Sequence, residues 1–152
     1  MASQRNHVDR DGFIEQMASL LEPWGMARSM GRVYAYLLLR TEPCDIEQIA
    51  ADLDLSRSAT WSAARSLEGF GHIRRHTTPG TKRARYAQSN DYGAPLGEQF
   101  KLLSNMALLL TAVRGAVADP KAVRTITRRA KFYREMEAVI RGGIRKHRTP
   151  GD

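Results

Sequence analysis

The segment from Leu55 to Tyr86 constrains the fold of this chain more than any other part of the sequence. It begins with residues at helical spacing that are apolar on one side and small and polar on the other. Two short extended runs follow, joined by Pro79-Gly80-Thr81 and rich in arginine. A short helix over Asp45–Leu53 precedes the segment after a tight turn. The order of helix, turn, helix and basic hairpin predicts a winged helix-turn-helix that reads duplex DNA.

Composition places the chain among basic, folded proteins. Its 152 residues carry a net charge of +8, which favours an anionic partner such as nucleic acid or a membrane surface. A single cysteine suits a reducing cytoplasm, and the polar N-terminus lacks the apolar run of a signal peptide. The richest apolar run, Leu102–Val113, is too short to span a membrane. We therefore expect a cytoplasmic protein with no membrane segment.

Apolar periodicity predicts a mainly α-helical chain with a small β-hairpin wing. The whole chain, 1–152, is expected to form one protomer, with a winged helix-turn-helix over about 26–91 flanked by helices over about 9–25 and 95–146. The expected helices are Asp9–Glu22, Ala27–Leu39, Asp45–Leu53, a fourth capped by Ser56 and ending near Gly69, Pro95–Ala118 and Lys121–Lys146. The expected strands are His72–Thr77 and Arg83–Ser89.

The fourth helix separates into two faces at 100° per residue. The side chains of one face are small enough to pack closely on the preceding helix. They are Thr60, Ala63, Ala64 and Leu67. The opposite face carries what a major-groove helix needs, since hydroxyls allow close approach and arginine can bond the O6 and N7 of guanine. Its members are Ser58, Trp61, Ser62 and Arg65.

The hairpin adds a second basic surface. Alternation places Arg83 and Arg85 on one face, with Ala84 and Tyr86 on the other. A basic tip can reach phosphates or enter the minor groove, whose negative potential attracts arginine. The complete set of predicted DNA-binding residues is Ser56, Arg57, Ser58, Trp61, Ser62, Arg65, Arg75, Lys82, Arg83 and Arg85.

Other interpretations of the same residues stay open. The helix could be an ordinary serine-rich surface, and the hairpin a solvated charge run. A winged-helix adaptor that docks a protein, or an RNA-binding winged helix, are the alternative functions. The basic face of the last helix could approach flanking DNA, although a solvated face is the simpler interpretation.

Little in the sequence indicates an enzyme, a cofactor or a metal site. No phosphate-binding glycine loop appears, and no nucleophile, base and carboxylate are spaced suggestively. His72 and His76 share a strand face but are separated by about 13 Å, too far to share a metal. Cys44 has no basic neighbour that obviously lowers its thiol pKa, so a small, half-buried turn residue is expected.

Over Leu53–Tyr86 the sequence resembles the MarR superfamily of bacterial regulators. Weaker likeness extends from Phe13–Met17 and Gly31-Arg32 to the final helix, and the whole pattern is similar to the GbsR-like branch and to repressors of MmpS/MmpL efflux transporters. Each motif is modest, but their order and spacing together are fairly specific. The shared residues are Leu53, Ser56, Ala64, Arg65, Leu67, Phe70, Gly71, Ile73, Arg75, Gly80, Arg83 and Tyr86.

This resemblance implies a homodimer built from the N- and C-terminal helices, with two winged helices on a pseudo-palindromic operator. It also implies control by a small lipophilic ligand bound between the DNA-binding and dimerisation parts. Many relatives carry an aspartate two residues before the wing arginine, where it braces that side chain, whereas Thr81 stands here. The candidate pocket residues, which at helical spacing could equally be plain core, are Leu20, Trp24, Met30, Tyr34, Met106 and Leu110.

Overall fold

Residues 8–147, which the computed structural model describes, form six α-helices and one small antiparallel sheet. The chain divides into two units, residues 1–90 and 91–152, and each is described by itself. The helices are α1 (Arg10–Leu21), α2 (Arg28–Leu38), α3 (Ile46–Leu53), α4 (Arg57–Gly69), α5 (Gly93–Val113) and α6 (Pro120–Lys146). The strands are β1 (Cys44–Asp45), β2 (Ile73–Thr77) and β3 (Ala84–Gln88). The predicted fold class, mainly helical with a hairpin wing, is confirmed.

Local side-chain chemistry fixes where the helices begin. The backbone N–H of the third helical residue donates to the side chain of Asp45 in α3, at 2.9 Å, and to Ser56 in α4, at 3.1 Å. Both caps satisfy donors that have no partner inside the helix. Asp9 and Asp119 cap α1 and α6 in related ways. Helix α5 ends at Val113, earlier than expected, and a single 3-10 turn follows it.

The sheet has a third strand that the sequence did not predict. Its order is β1-β3-β2, and both pairings are antiparallel. Tyr86 stands opposite Cys44 on one side and opposite Arg75 on the other. Cys44 is therefore a buried strand residue rather than a half-buried turn residue. A two-residue strand is too short to show alternation in a sequence, so β1 had no recognisable signal.

The core of the first unit lies where α2, α3 and α4 meet the sheet. Its largest fully buried side chains include Tyr36, Leu37, Ile49 and Leu67, and Ile73 closes it from β2. The sequence predicts Met30, Val33, Tyr34, Leu37 and Leu38 as the apolar side of α2, so Tyr36 is a core residue that the pattern missed. Burial of these aromatic and aliphatic side chains is the main stabilising contribution to the fold.

Helix α1 packs closely on α2 through small residues. A Cβ added to Gly31 would lie 2.7 Å from the Cα of Ala18, so the two backbones nearly touch. The fully buried residues of α1 are therefore Ile14 and Ala18, about one residue away from the apolar stripe that the sequence predicts, which consists of Phe13, Met17, Leu20, Leu21 and Trp24. Leu20, expected on that stripe, is 68% exposed. An alanine carries little weight in a hydrophobic pattern, which is why the predicted face was shifted.

The second unit is a hairpin of two long helices, α5 and α6. Ala107 and Ala130 are its buried residues, and a Cβ added to Gly93 would lie 2.5 Å from a side-chain methyl of Ile144. Glu137, which interrupts the apolar stripe of α6, forms a hydrogen-bonded ion pair with Arg141 one turn later. Several large apolar side chains of this hairpin are exposed, including Leu102, Leu108, Leu109, Phe132 and Val139.

Candidate nucleic-acid interface

Helix α4 buries the face that the sequence assigned to the interior. Thr60, Ala63, Ala64 and Leu67 are all buried against the neighbouring helices. The hydroxyl of Thr60 donates to the carbonyl of Ser56 at 2.9 Å, so its polar atom is satisfied inside the core. This packing orients α4 about its own axis and decides which side chains face outward.

The opposite face of α4 is exposed, as predicted, at Ser58, Trp61, Ser62 and Arg65. Trp61 is 50% exposed, so much of its ring is available to a partner. The guanidinium carbon of Arg65 lies 5.2 Å from the centre of the Trp61 ring, one turn away on the same face. This cation–π contact limits the conformations of Arg65 while its hydrogen-bond donors stay free for a base or a phosphate.

A network of arginines positions the helix-turn-helix against α1. Arg32 in α2 donates through Nη2 to the carbonyl of Leu53, at the end of α3, at 2.9 Å, and through Nε to Glu15 in α1 at 2.7 Å. Arg28 also donates to Glu15, at 2.6 Å. Burial alone would raise the pKa of the Glu15 carboxyl, but the hydrogen bonds from both arginines outweigh it and lower the pKa. A charged Glu15 therefore ties α1 to α2.

A second polar cluster joins α2 to α3. The hydroxyl of Tyr36 donates to Asp52 at 2.6 Å, and Arg40 donates to both Asp52 and Tyr36. Burial raises the pKa of Tyr36, and donation to the Asp52 carboxylate raises it further, so the phenol stays protonated. Sequence analysis did not identify either cluster, because each depends on side chains that are distant in sequence.

The wing presents its cations to solvent and is anchored by one aromatic ring. Strands β2 and β3 pair from Ile73 opposite Gln88 to Thr77 opposite Ala84, with Tyr86 buried at the base. Gly80 adopts φ +88° in the connecting turn, where an L side chain would be strained. Five basic side chains of the hairpin are exposed: Arg74, Arg75, Lys82, Arg83 and Arg85.

Two of the predicted DNA-binding arginines contact carboxylates of neighbouring elements. Arg57, at the start of α4, lies 3.2 Å from Glu47 of α3. Arg83 lies 3.7 Å from Asp45, although its own side chain is 75% exposed. Asp45 was predicted only as a helix cap, and its position beside the wing became apparent only with strand β1.

All ten predicted DNA-binding residues belong to the first unit, on α4, its cap and the wing. Ser56, Arg57, Ser58, Trp61, Ser62, Arg65, Arg75, Lys82, Arg83 and Arg85 are exposed side chains. Their contact with DNA stays a prediction. The candidate pocket residues fall in both units: Leu20 and Trp24 are exposed, and the half-buried ones are Met30, Tyr34, Met106 and Leu110.

The position of His72, the grouping of possible metal ligands and the apolar character of the helices bear on metal and membrane binding. His72 lies at the base of the wing, edge-on to the ring of Tyr34 at 5.3 Å, and burial lowers its pKa. Residues 8–147 bring together no group of three or more His, Cys, Asp or Glu side chains that could hold a metal ion. Within the same residues, no helix has both the length and the apolar character needed to cross a membrane.

Comparison with solved structures supports the winged-helix architecture. A crystal structure of a transcriptional regulator matches with a TM-score of 0.76 and 25% identity, over 91% of this chain and 97% of that chain. A MepR mutant from multidrug-resistant S. aureus matches at TM-score 0.44 and 16% identity, over 82% of this chain and 89% of that one. A MarR transcriptional regulator from Methanosarcina mazei Go1 matches at TM-score 0.40 and 17% identity, over 90% of each chain. No protein-family model and no curated protein matches the sequence.

Proposed function

We propose that this chain is a transcriptional regulator that binds duplex DNA in a sequence-specific way and belongs to the MarR superfamily. The observation that carries the proposal is the outward face of α4, where Arg65 lies against an exposed Trp61 between small hydroxyl side chains. An arginine flanked by small hydroxyls on the exposed face of a helix is the arrangement that a major-groove contact needs. The 25% identical structure, itself a transcriptional regulator, supports the same function.

The exposed side chains of α4 suit contact with a major groove, and those of the wing suit contact with the phosphate backbone. Arg65 can donate two parallel hydrogen bonds to guanine, while Ser58 and Ser62 let the helix axis approach the base edges. The exposed arginines of the wing, Arg83 and Arg85 among them, add sequence-independent attraction to phosphates. Specificity then comes from α4 and much of the salt dependence from the wing.

A homodimer on a pseudo-palindromic operator follows from the small reach of one winged helix. Two copies related by a two-fold axis, with recognition helices about 34–36 Å apart, would read successive major grooves on one face of the duplex. Exposed apolar side chains on α5, such as Leu102, Leu108 and Leu109, offer surface for a second copy. Sedimentation equilibrium tests this step, since a monomer at all concentrations would contradict it.

We also propose that a small lipophilic ligand controls DNA binding. The protein would act as a repressor and belong to the GbsR-like branch. The residues proposed to contact the ligand are Leu20, Trp24, Met30, Tyr34, Met106 and Leu110. A panel of fatty and aromatic compounds should contain one that releases the protein from its operator. If none changes the DNA affinity, the ligand-responsive part of the proposal is wrong.

The decisive experiment selects duplexes from a random-sequence pool with the full chain and measures their affinity. We expect enrichment of an inverted repeat and tighter binding to it than to random duplex, single-stranded DNA or RNA. Preference for structured RNA would favour an RNA-binding winged helix. Binding to no nucleic acid would contradict the proposal and favour a protein-docking adaptor, although an adaptor gives the basic wing no role.

A further inference from the structure

Most of the net positive charge of this chain lies outside its winged-helix unit. Residues 91–152 carry 12 basic and 6 acidic side chains, so they account for +6 of the net charge of +8. The winged-helix unit, residues 1–90, contributes only +2. The first half of α6 holds the densest part of this excess, with six basic residues and no acidic one between positions 120 and 134.

Four of these cations form a straight line along α6. They stand at helical positions i, i+3, i+7 and i+10, which share one face of a helix. At 1.5 Å per residue the line is about 15 Å long. All four side chains are exposed. We name this set the α6 stripe: Lys121, Arg124, Arg128 and Lys131.

Carboxylates hardly neutralise the α6 stripe. Among the ion pairs of residues 8–147, one involves the stripe, between Lys131 and Glu135 at 3.7 Å, and both side chains are largely exposed. Arg124 and Arg128 have no ion pair or side-chain hydrogen bond within the described residues. By contrast, Arg134 and Arg141 of the same helix donate to Thr111 and Glu137. The stripe therefore keeps its charge and its donors available for an external anion.

We propose that the α6 stripe is a second DNA-binding surface, which contacts phosphates of duplex outside the base pairs read by α4. Duplex DNA carries one negative charge per 1.7 Å of its axis, so a 15 Å line of four cations meets several phosphates. Most protein–DNA hydrogen bonds go to phosphate and sugar, so we expect this contact to position the duplex without reading its sequence.

Charge complementarity favours a phosphate backbone over an anionic lipid surface. An interfacial helix needs apolar side chains opposite its charged face that are free to enter the lipid. The face of α6 opposite the stripe instead packs against α5, through Ala130, and the exposed Phe132 and Val139 lie beside the cations rather than opposite them. This inference rests on the proposed function, because it assumes that the protein is already held on a duplex.

The test compares two duplexes that carry the selected operator, one of about 20 base pairs and one extended by random sequence on both sides. The native dimer should bind the extended duplex more tightly and with a steeper salt dependence. The double variant Arg124→Gln/Arg128→Gln should lose this gain, with a salt slope lower by about 0.9 for each phosphate contact removed. Its affinity for the short duplex should match that of the native protein, which also shows that it folds.

A charge-matched control is available on the same helix. Arg129 and Arg145 are exposed but lie off the stripe, so Arg129→Gln/Arg145→Gln should keep the gain from the flanks. The variant Arg124→Lys/Arg128→Lys preserves the charge and should keep it too. If both glutamine double variants lose the gain equally, net charge and not the α6 stripe is responsible, and the inference is wrong.

Three further outcomes would overturn either the role of the α6 stripe or the proposed function. Equal binding of the native protein to short and extended duplexes would overturn the stripe while leaving the proposed function intact. Loss of affinity for phosphatidylglycerol vesicles in Arg124→Gln/Arg128→Gln, with the flank gain unchanged, would assign the stripe to a membrane and overturn the DNA contact. Failure of the native protein to bind any duplex would instead refute the proposed function itself.

Discussion

Asp45 and Arg83 connect the start of the recognition motif to the wing. One carboxylate oxygen of Asp45 accepts the backbone N–H of Gln48 at 2.9 Å, while the other lies 3.7 Å from the guanidinium of Arg83. The resemblance to the MarR superfamily implies an aspartate two residues before this arginine, where this chain has Thr81. Here Thr81 instead donates to the carbonyl of Thr78 within the turn. The Asp45 carboxylate, from strand β1, thus pairs with Arg83 in place of a carboxylate within the wing.

We expect Asp45→Asn to weaken operator binding by a few fold. Asparagine caps a helix as well as aspartate, so α3 should persist. The pair with the exposed Arg83 is worth at most about 1 kcal/mol, which limits the loss to roughly fivefold. Fluorescence anisotropy on the selected operator measures the affinity, and a thermal melt checks the fold.

Glu47→Gln is the matched control for Asp45→Asn. It removes one carboxylate from the same region but frees Arg57, and should leave DNA affinity unchanged or raise it. Adding Thr81→Asp to Asp45→Asn should restore binding, because it supplies a local carboxylate for Arg83. Tighter binding by Asp45→Asn would show that loss of negative charge outweighs loss of the brace, and would contradict the positioning role.

Arg65→Ala should cost roughly 1–3 kcal/mol on the operator and relax its base preference. The reason is that Arg65 is an outward arginine of α4 able to bond guanine bidentately, and its contact with Trp61 limits its conformations. Affinities for operator and random duplex, measured at one salt concentration, give the specificity ratio. Arg83→Ala is the control and should weaken both duplexes more evenly. A ratio left intact by Arg65→Ala would remove that residue from base recognition.

Much of the winged helix could be predicted because its signals are local. Helix caps need a side chain three residues from a backbone donor, as at Ser56 and Ala59. The two faces of α4 follow from the helical period alone, and the structure buries and exposes them as expected. The Pro79–Thr81 turn between two short extended runs likewise predicted the hairpin.

The remaining features depend on contacts that no local pattern records. Strand β1 is two residues long, and the pairs of Asp45 with Arg83 and of Tyr36 with Asp52 join distant parts of the sequence. The buried face of α1 was displaced because Ala18 matters only through its contact with Gly31. The basic face of α6 could be predicted from the sequence, because the expected helix over Lys121–Lys146 nearly matches the observed one, but the lack of carboxylate partners for Arg124 and Arg128 within residues 8–147 could not.

Gly31→Ala should destabilise the protein by roughly 1–3 kcal/mol, the usual cost of overpacking a tight core contact. A Cβ at Gly31 would lie 2.7 Å from the Cα of Ala18, and a backbone atom cannot move aside as a side chain can. Gly97→Ala is the control, since nothing lies within 4 Å of the added Cβ and alanine favours the helix. Urea unfolding of both variants measures the difference, and equal stabilities would mean that α1 and α2 do not approach so closely.

His72 should make the stability of the winged helix sensitive to mild acid. Burial lowers the pKa of its imidazole below the ordinary value of 6.5, so the unfolded chain binds a proton at a higher pH than the native one. The contribution of neutral His72 is therefore present above about pH 6.5 and is lost as the pH falls through its native pKa. The melting temperature of the native protein should exceed that of His72→Gln by more at pH 8 than at pH 5. Proton NMR of the ring gives the midpoint directly, and a value at or above 6.5 would contradict the burial of His72 beside Tyr34.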